Sequence, residues 1–129
     1  MPRRRTPRPP GPEDRVRAEH MLALAREAIA QFEGVTEAEF AARRLYQASL
    51  AWYLLGIGEA AARVSDPSRA LVPGVPWTRV VGTRHIISHE HDRLAPGKLW
   101  RVLRVHLPHM VEALEATVHL LPAKPDTAG

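Results

Sequence analysis

Apolar residues recur at helical spacing in four stretches of the chain, separated by short runs rich in glycine, proline, serine and aspartate. In the first stretch Val16, His20, Leu24 and Ala28, with Met21 and Ile29 beside them, share one side of a helical wheel. They predict a helix over residues 13–33, ended by Gly34. Thr36-Glu37-Ala38-Glu39 then has the capping-box pattern, with Thr36 as N-cap and Glu39 reaching back. The second helix it opens is expected to run to about Val64, where Ser65-Asp66-Pro67 stops it. Pro76 suits the first turn of a third helix, through Trp77 to Ser88 or His89. Leu94-Ala95-Pro96 opens the last, whose stripe is Leu99, Trp100, Leu103, Leu107, Met110, Val111, Leu114 and Val118. Pro108 removes one backbone bond inside that pattern and predicts a kink near residues 104–107 rather than a stop. No alternating strand pattern competes. The expected fold class is all-α, an antiparallel bundle of four main helices over residues 13–121.

The second stretch is apolar around its whole circumference. Between Leu45 and Ala62 the only charged residue is Glu59; Leu45, Trp52 and Leu55 form one stripe, and Leu50, Tyr53, Leu54 and Ile57 another. Such a helix is buried on all sides. A bundle this small does not cover both faces by itself, so a partner surface is expected, most economically a symmetric homodimer built on this helix. A membrane span is set aside because the run is short and contains Gln47, Gly56, Gly58 and Glu59. On the third helix Trp77, Val80, Val81 and Ile87 share the inward face, and Arg84 falls in the middle of it. An inward guanidinium needs a carboxylate or a phosphate, because an unpaired buried charge is costly. Glu59, on the stripe of Leu45, Trp52 and Leu55, is the expected partner.

Charge and composition narrow the setting. Of the 18 Lys and Arg residues, Arg3, Arg4, Arg5 and Arg8 lie in the first twelve positions, which hold no acid; the rest of the chain carries 14 basic side chains against 14 acidic ones. Residues 1–12 and the proline-containing end over 122–129 are expected to be disordered tails outside the fold, the first a basic one with weak, salt-sensitive affinity for RNA at most. The arginines are followed by prolines rather than an apolar run, so no signal peptide is expected. Cysteine is absent, which excludes disulfides and thiolate metal sites and fits a reducing cytoplasm. No Walker loop, GxGxxG, HExxH or GxSxG element occurs.

The candidate chemistry lies in Arg84-His85-Ile86-Ile87-Ser88-His89-Glu90-His91, which packs one arginine and three of the seven histidines into eight positions. His85 and His89 are four residues apart and share a helix face, while His91 falls just past the helix end. Three imidazoles this close suit a transition metal, although the spacing matches no zinc signature and Arg84 brings positive charge alongside. A second reading is acid–base work on a phosphodiester, with histidine exchanging the proton and arginine holding charge on phosphorus. The third reading is structural: Arg84 as an ion-pair partner and the histidines as solvated helix-end groups. Trp77 and Trp100 read as core anchors, and His20 as a core or interface residue; His106, His109 and His119 form no constellation.

The ordered set of motifs resembles the HEPN superfamily of small α-helical ribonucleases, and in particular its HepT-like toxins. The resemblance rests on Arg84-x4-His89 with polar His85 after the arginine, on the opening Asp14-Arg15-Val16-Arg17-Ala18-Glu19-His20-Met21, and on Ile57-Gly58-Glu59-Ala60-Ala61. It continues through Pro76-Trp77, Gly82-x-Arg84, His89-Glu90 and Leu99-Trp100…Leu107-Pro108, so that it covers about residues 13–118. It implies a HEPN-like bundle that dimerises, and a metal-independent, cofactor-free RNase with its Arg/His sets at the dimer interface. Arg84 would stabilise the transition state, His89 act as general acid or base, and His85, His91 and Glu59 support the site; the products would be a 2′,3′-cyclic phosphate and a 5′-hydroxyl. The implied partners are RNA and a nucleotidyltransferase antitoxin, which in this family attaches AMP to a tyrosine two residues after the histidine. Here that position is His91. The alternative function is a non-catalytic helical partner of a small nucleotidyltransferase that binds a nucleotide or a protein.

Overall fold

The first predicted helix forms as α1 (Glu13–Gln31), and Gly34, at φ +80°, reverses the chain after it. A computed structural model describes residues 11–90 and 94–123; among these the chain is helical and has no strand. The two tail expectations therefore fall mostly outside the described residues, as does His91. After α1 come α2 (Glu37–Ala42), α3 (Arg44–Ala62), the single turn α4 (Asp66–Ala70), α5 (Trp77–Glu90), α6 (Pro96–Arg101) and α7 (Leu107–Thr117). A π-helical turn over Val102–His106 joins α6 to α7, and a 3-10 turn over Val118–Leu120 ends the bundle.

Two of these features depart from the sequence reading, and a third gives it a form. The second stretch is two helices, because Arg43 is extended (φ −119°, ψ 107°). The carbonyls left open at the end of α2 are taken by Gln47, whose Nε2 donates to Phe40 O and Ala41 O, each at 3.1 Å. That bend lets Phe40 pack edge-on against Phe32 (centroids 5.6 Å apart) and lie 5.4 Å from the Trp100 ring. At the start of α2 the Thr36 hydroxyl accepts from Glu39 N at 3.1 Å, as the capping box requires. Second, Val16 and His20 are exposed, so His20 is not a core residue; Met21, Leu24 and Ala28 of the expected stripe are buried, with Ala18, Leu22 and Ala25 beside them. Asp14 holds that end of the helix: its carboxylate is buried at the start of α1 against Ser65 and Ser68. The last stretch passes Pro108 without stopping, as expected, and the adjustment is the π turn just before it, with the proline in the first turn of α7.

The core lies between α1, α3 and α7, with α5 closing one side. Met21, Phe32, Phe40, Leu50, Ile57, Leu103 and Leu114 are fully enclosed, so truncating any of the leucines among them costs about 2–5 kcal/mol. Trp77 is buried with its Nε1 donating to Arg69 O and Val72 O, which settles it as a core anchor. Two arginines bind the ends of the bundle together. Arg15 donates to the carbonyls of Leu121 and His119, and Arg104, stacked 4.4 Å from the Trp100 ring, donates to Phe32 O and Val35 O at 3.0 and 2.8 Å.

Among the described residues one face of α3 stays largely uncovered. Leu50, Leu54 and Ile57 are buried, but Leu45 is 83% and Trp52 63% exposed. Among the described residues half of the predicted all-round burial is met, while on the other stripe Leu55 is partly buried and Leu45 and Trp52 lie bare. No helix among the described residues is long and apolar enough to cross a membrane.

Candidate functional site

The site is built where α5 crosses α3. Gly58 lies on α3 against the backbone of α5: a Cβ placed there would come 3.1 Å from Val80 O and 3.2 Å from Arg84 Cβ. Only hydrogen fits without α5 giving way by a few tenths of an ångström. This close approach sets Arg84 directly on α3, and one residue further along α3 is Glu59. The Arg84 Nη1 to Glu59 Oε2 distance is 3.5 Å, so the pair expected from the two helical wheels forms. It is not a buried pair. The side chains are 40% and 52% exposed, so the inward arginine of the sequence reading sits at the rim of the crossing. In that position the pair contributes at most about 1 kcal/mol and leaves the guanidinium reachable from solvent.

The helices run antiparallel: Gly58 meets Val80 and Arg84, while Ala51 and Leu55 share a cleft with Ile87. That geometry fixes which side chains share a flank. Taking about 100° per residue, His85 and His89 lie about 100° and 140° around α5 from Arg84. With α5 antiparallel, this rotation carries them to the side of the crossing on which Glu59 projects from α3. Both histidines are exposed, and their rings lie tilted against each other with centroids 4.3 Å apart. Leu45 and Trp52 belong to the same stripe of α3 as Glu59. The fold thus gathers Arg84, Glu59, His85 and His89 beside the bare apolar face, and His91 follows beyond the described residues. Among the described residues no group of three His, Asp or Glu side chains is placed to hold a metal ion.

Gly58 is the residue, positioning the candidate site, that wheel arguments on Arg84 and Glu59 pass over. Its signal in the sequence is faint: Gly56 and Gly58 stand in a helix interior, where each costs about 1 kcal/mol against alanine and so marks a close approach. Gly56 answers to the same cause on another side, facing Leu24.

A family model for ribonuclease HepT-like proteins matches residues 21–117, well over half of the chain. The chain belongs to the HepT-like ribonuclease family. No solved structure matches it. The match takes in all of α2 to α7, and hence Gly58, Glu59, Arg84, His85 and His89; HepT-like ribonucleases are HEPN proteins, as the ordered motifs implied. Of the opening segment of the resemblance, only Met21 lies inside it. Asp14 and Arg15, before it, have structural partners here rather than a place in the site.

Proposed function

We propose that this HepT-like protein is a metal-independent endoribonuclease toxin of a cytoplasmic toxin–antitoxin pair, acting as a homodimer with its Arg/His sets at the subunit interface. The observation that carries the reading is the common flank of Arg84, Glu59, His85 and His89 beside the exposed stripe of α3. RNA brings its own nucleophile. Neutral His89 takes the 2′-hydroxyl proton as that oxygen attacks the adjacent phosphorus; the P–O5′ bond breaks, and the 5′ oxygen collects a proton from the neighbouring His85 in its imidazolium form. Arg84 holds the charge that develops on the phosphorus oxygens, and Glu59 orients the guanidinium. The products are a 2′,3′-cyclic phosphate and a 5′-hydroxyl. The test is RNA cleavage by the purified protein with and without His89→Ala.

The dimer rests on Leu45 and Trp52. Large apolar side chains this exposed on one helix face mark a contact surface, and a two-fold arrangement on α3 covers both while bringing two Arg84–Glu59 pairs to the edge of the same interface. Leu45→Asp with Trp52→Asp is expected to convert a dimer to a folded monomer. Light scattering reads the mass and circular dichroism the helix content; an unchanged dimer would remove α3 from the interface.

The proposed antitoxin is a small nucleotidyltransferase that silences by binding. His91 has no hydroxyl to accept AMP, and the only tyrosines, Tyr46 and Tyr53, lie on α3, Tyr46 packed edge-on against Phe32. Incubation with that enzyme and ATP is expected to leave the mass unchanged by mass spectrometry; a gain of one AMP would overturn this. His91 also favours the second reading, a non-catalytic binding partner, which the cleavage assay separates.

A further inference from the structure

The flank of α5 opposite the histidines carries a second feature. A groove of about 250 Å³ opens between α3, α5 and the π turn; Ile57, Leu107 and Met110 are in its floor, and Arg79, Thr83 and His106 stand around it. No acidic residue lines it. Below the range of about 300–1,000 Å³ usual for whole ligands, it admits one ring system and leaves any phosphate outside. The π turn, a distortion often found at functional sites, forms one wall.

Charge is segregated toward this side of the sequence. Residues 67–111 hold seven of the 18 Lys and Arg and five of the seven histidines, against two of the 14 acids; residues 13–66 hold nine acids against six Lys and Arg. The near-neutral fold thus places its cationic half on the segment that forms α5, α6 and the π turn. Between the groove and the histidines lies the exposed back of α5, where Gly82 has nothing within 4 Å of its Cβ position.

We propose that this groove is a base-binding subsite for single-stranded RNA, taking one unpaired base from the strand cut at His89 while Arg79 and His106 hold its phosphate. The proposal rests on the ribonuclease reading above. It deepens that reading by making the substrate an unpaired segment, since a base stacked in a duplex cannot enter the groove.

The experiment measures fluorescence anisotropy of a labelled single-stranded 12-mer on the full-length His89→Ala protein, which leaves the RNA intact. Arg79→Glu in that background is expected to weaken binding at least tenfold with unchanged circular dichroism. A scan of single abasic positions along the 12-mer is expected to find one whose loss costs a comparable factor. Affinity within twofold after Arg79→Glu would overturn the subsite, and so would an abasic scan that is flat throughout, because simple charge attraction does not read a base. Cleavage by the wild-type protein, lost in His89→Ala, is scored separately, so failure of the subsite and failure of the ribonuclease reading give different results.

Discussion

His89→Ala is expected to lower the rate of RNA cleavage by about 10²–10⁴-fold, the usual worth of a positioned general acid or base. Arg84→Ala is expected to lower it by about 10²–10³-fold through loss of charge stabilisation at phosphorus. Neither change should unfold the protein. Both side chains are at least partly exposed, and the ion pair that Arg84→Ala removes contributes little. The measurement is growth on expression together with sequencing of RNA 3′ ends: wild type arrests growth and produces new cyclic-phosphate ends, and the two variants do neither at equal abundance. Arg84→Lys discriminates further. Lysine keeps the charge but loses the planar fork, so recovery of a small part of the rate points to phosphate contact, and full recovery to mere charge balance against Glu59. Cyclic-phosphate ends that persist in His89→Ala would end the acid–base assignment.

The residues of that site were legible because each left a local mark. Arg84 stood as a charge on an apolar face, and Glu59 as the one charge in an apolar helix, so their pairing followed from periodicity alone. The same wheels, however, placed Arg84 inside. They count turns within one helix and say nothing of where on its circumference a neighbour lies. The crossing is fixed by Gly58, which brings Val80 and Arg84 so close to α3 that the long arginine side chain emerges at the edge. Absence of a side chain is a weak sequence signal with a large structural effect.

The fold was legible in the same measure. All four periodic stretches are helical, and Thr36 and Gly34 stand where capping chemistry puts them. The break at Arg43 was not legible, because no proline or glycine marks it. It is held by the side chain of Gln47, which donates to two carbonyls that a continuous helix would have bonded internally. On α1 the period holds for Met21, Leu24 and Ala28 but fails for Val16 and His20, near the end that is held by a buried carboxylate, which a hydrophobic count leaves out. Polar side chains with distant backbone partners decide these details, and spacing does not reveal them.

That carboxylate is also where a single polar substitution is expected to cost as much stability as a core truncation. Asp14 is buried and accepts from Ser65 N at 3.1 Å, Ser65 Oγ at 2.5 Å, Ser68 Oγ at 2.6 Å and Gly11 N at 3.1 Å. It ties the first turn of α1 to the turn that ends α3 and begins α4. Asp14→Ala leaves these donors without their acceptor, at an expected cost of about 3 kcal/mol; Asp14→Asn keeps an acceptor, loses the charge, and costs less. Burial alone would raise the carboxyl pKa, but the hydrogen bonds from Ser65, Ser68 and Gly11 outweigh it and hold the value below the ordinary 3.8. A carboxylate depressed in this way stabilises the fold above its unfolded pKa, and the contribution is lost as pH falls through the lower, folded value. Urea unfolding of wild type and Asp14→Asn should therefore differ by a constant amount from neutral pH down to about pH 5, with the gap closing below about pH 4. A gap that stays constant to the acid limit would show that the charge contributes nothing and that Asp14 acts through its shape and acceptor geometry alone.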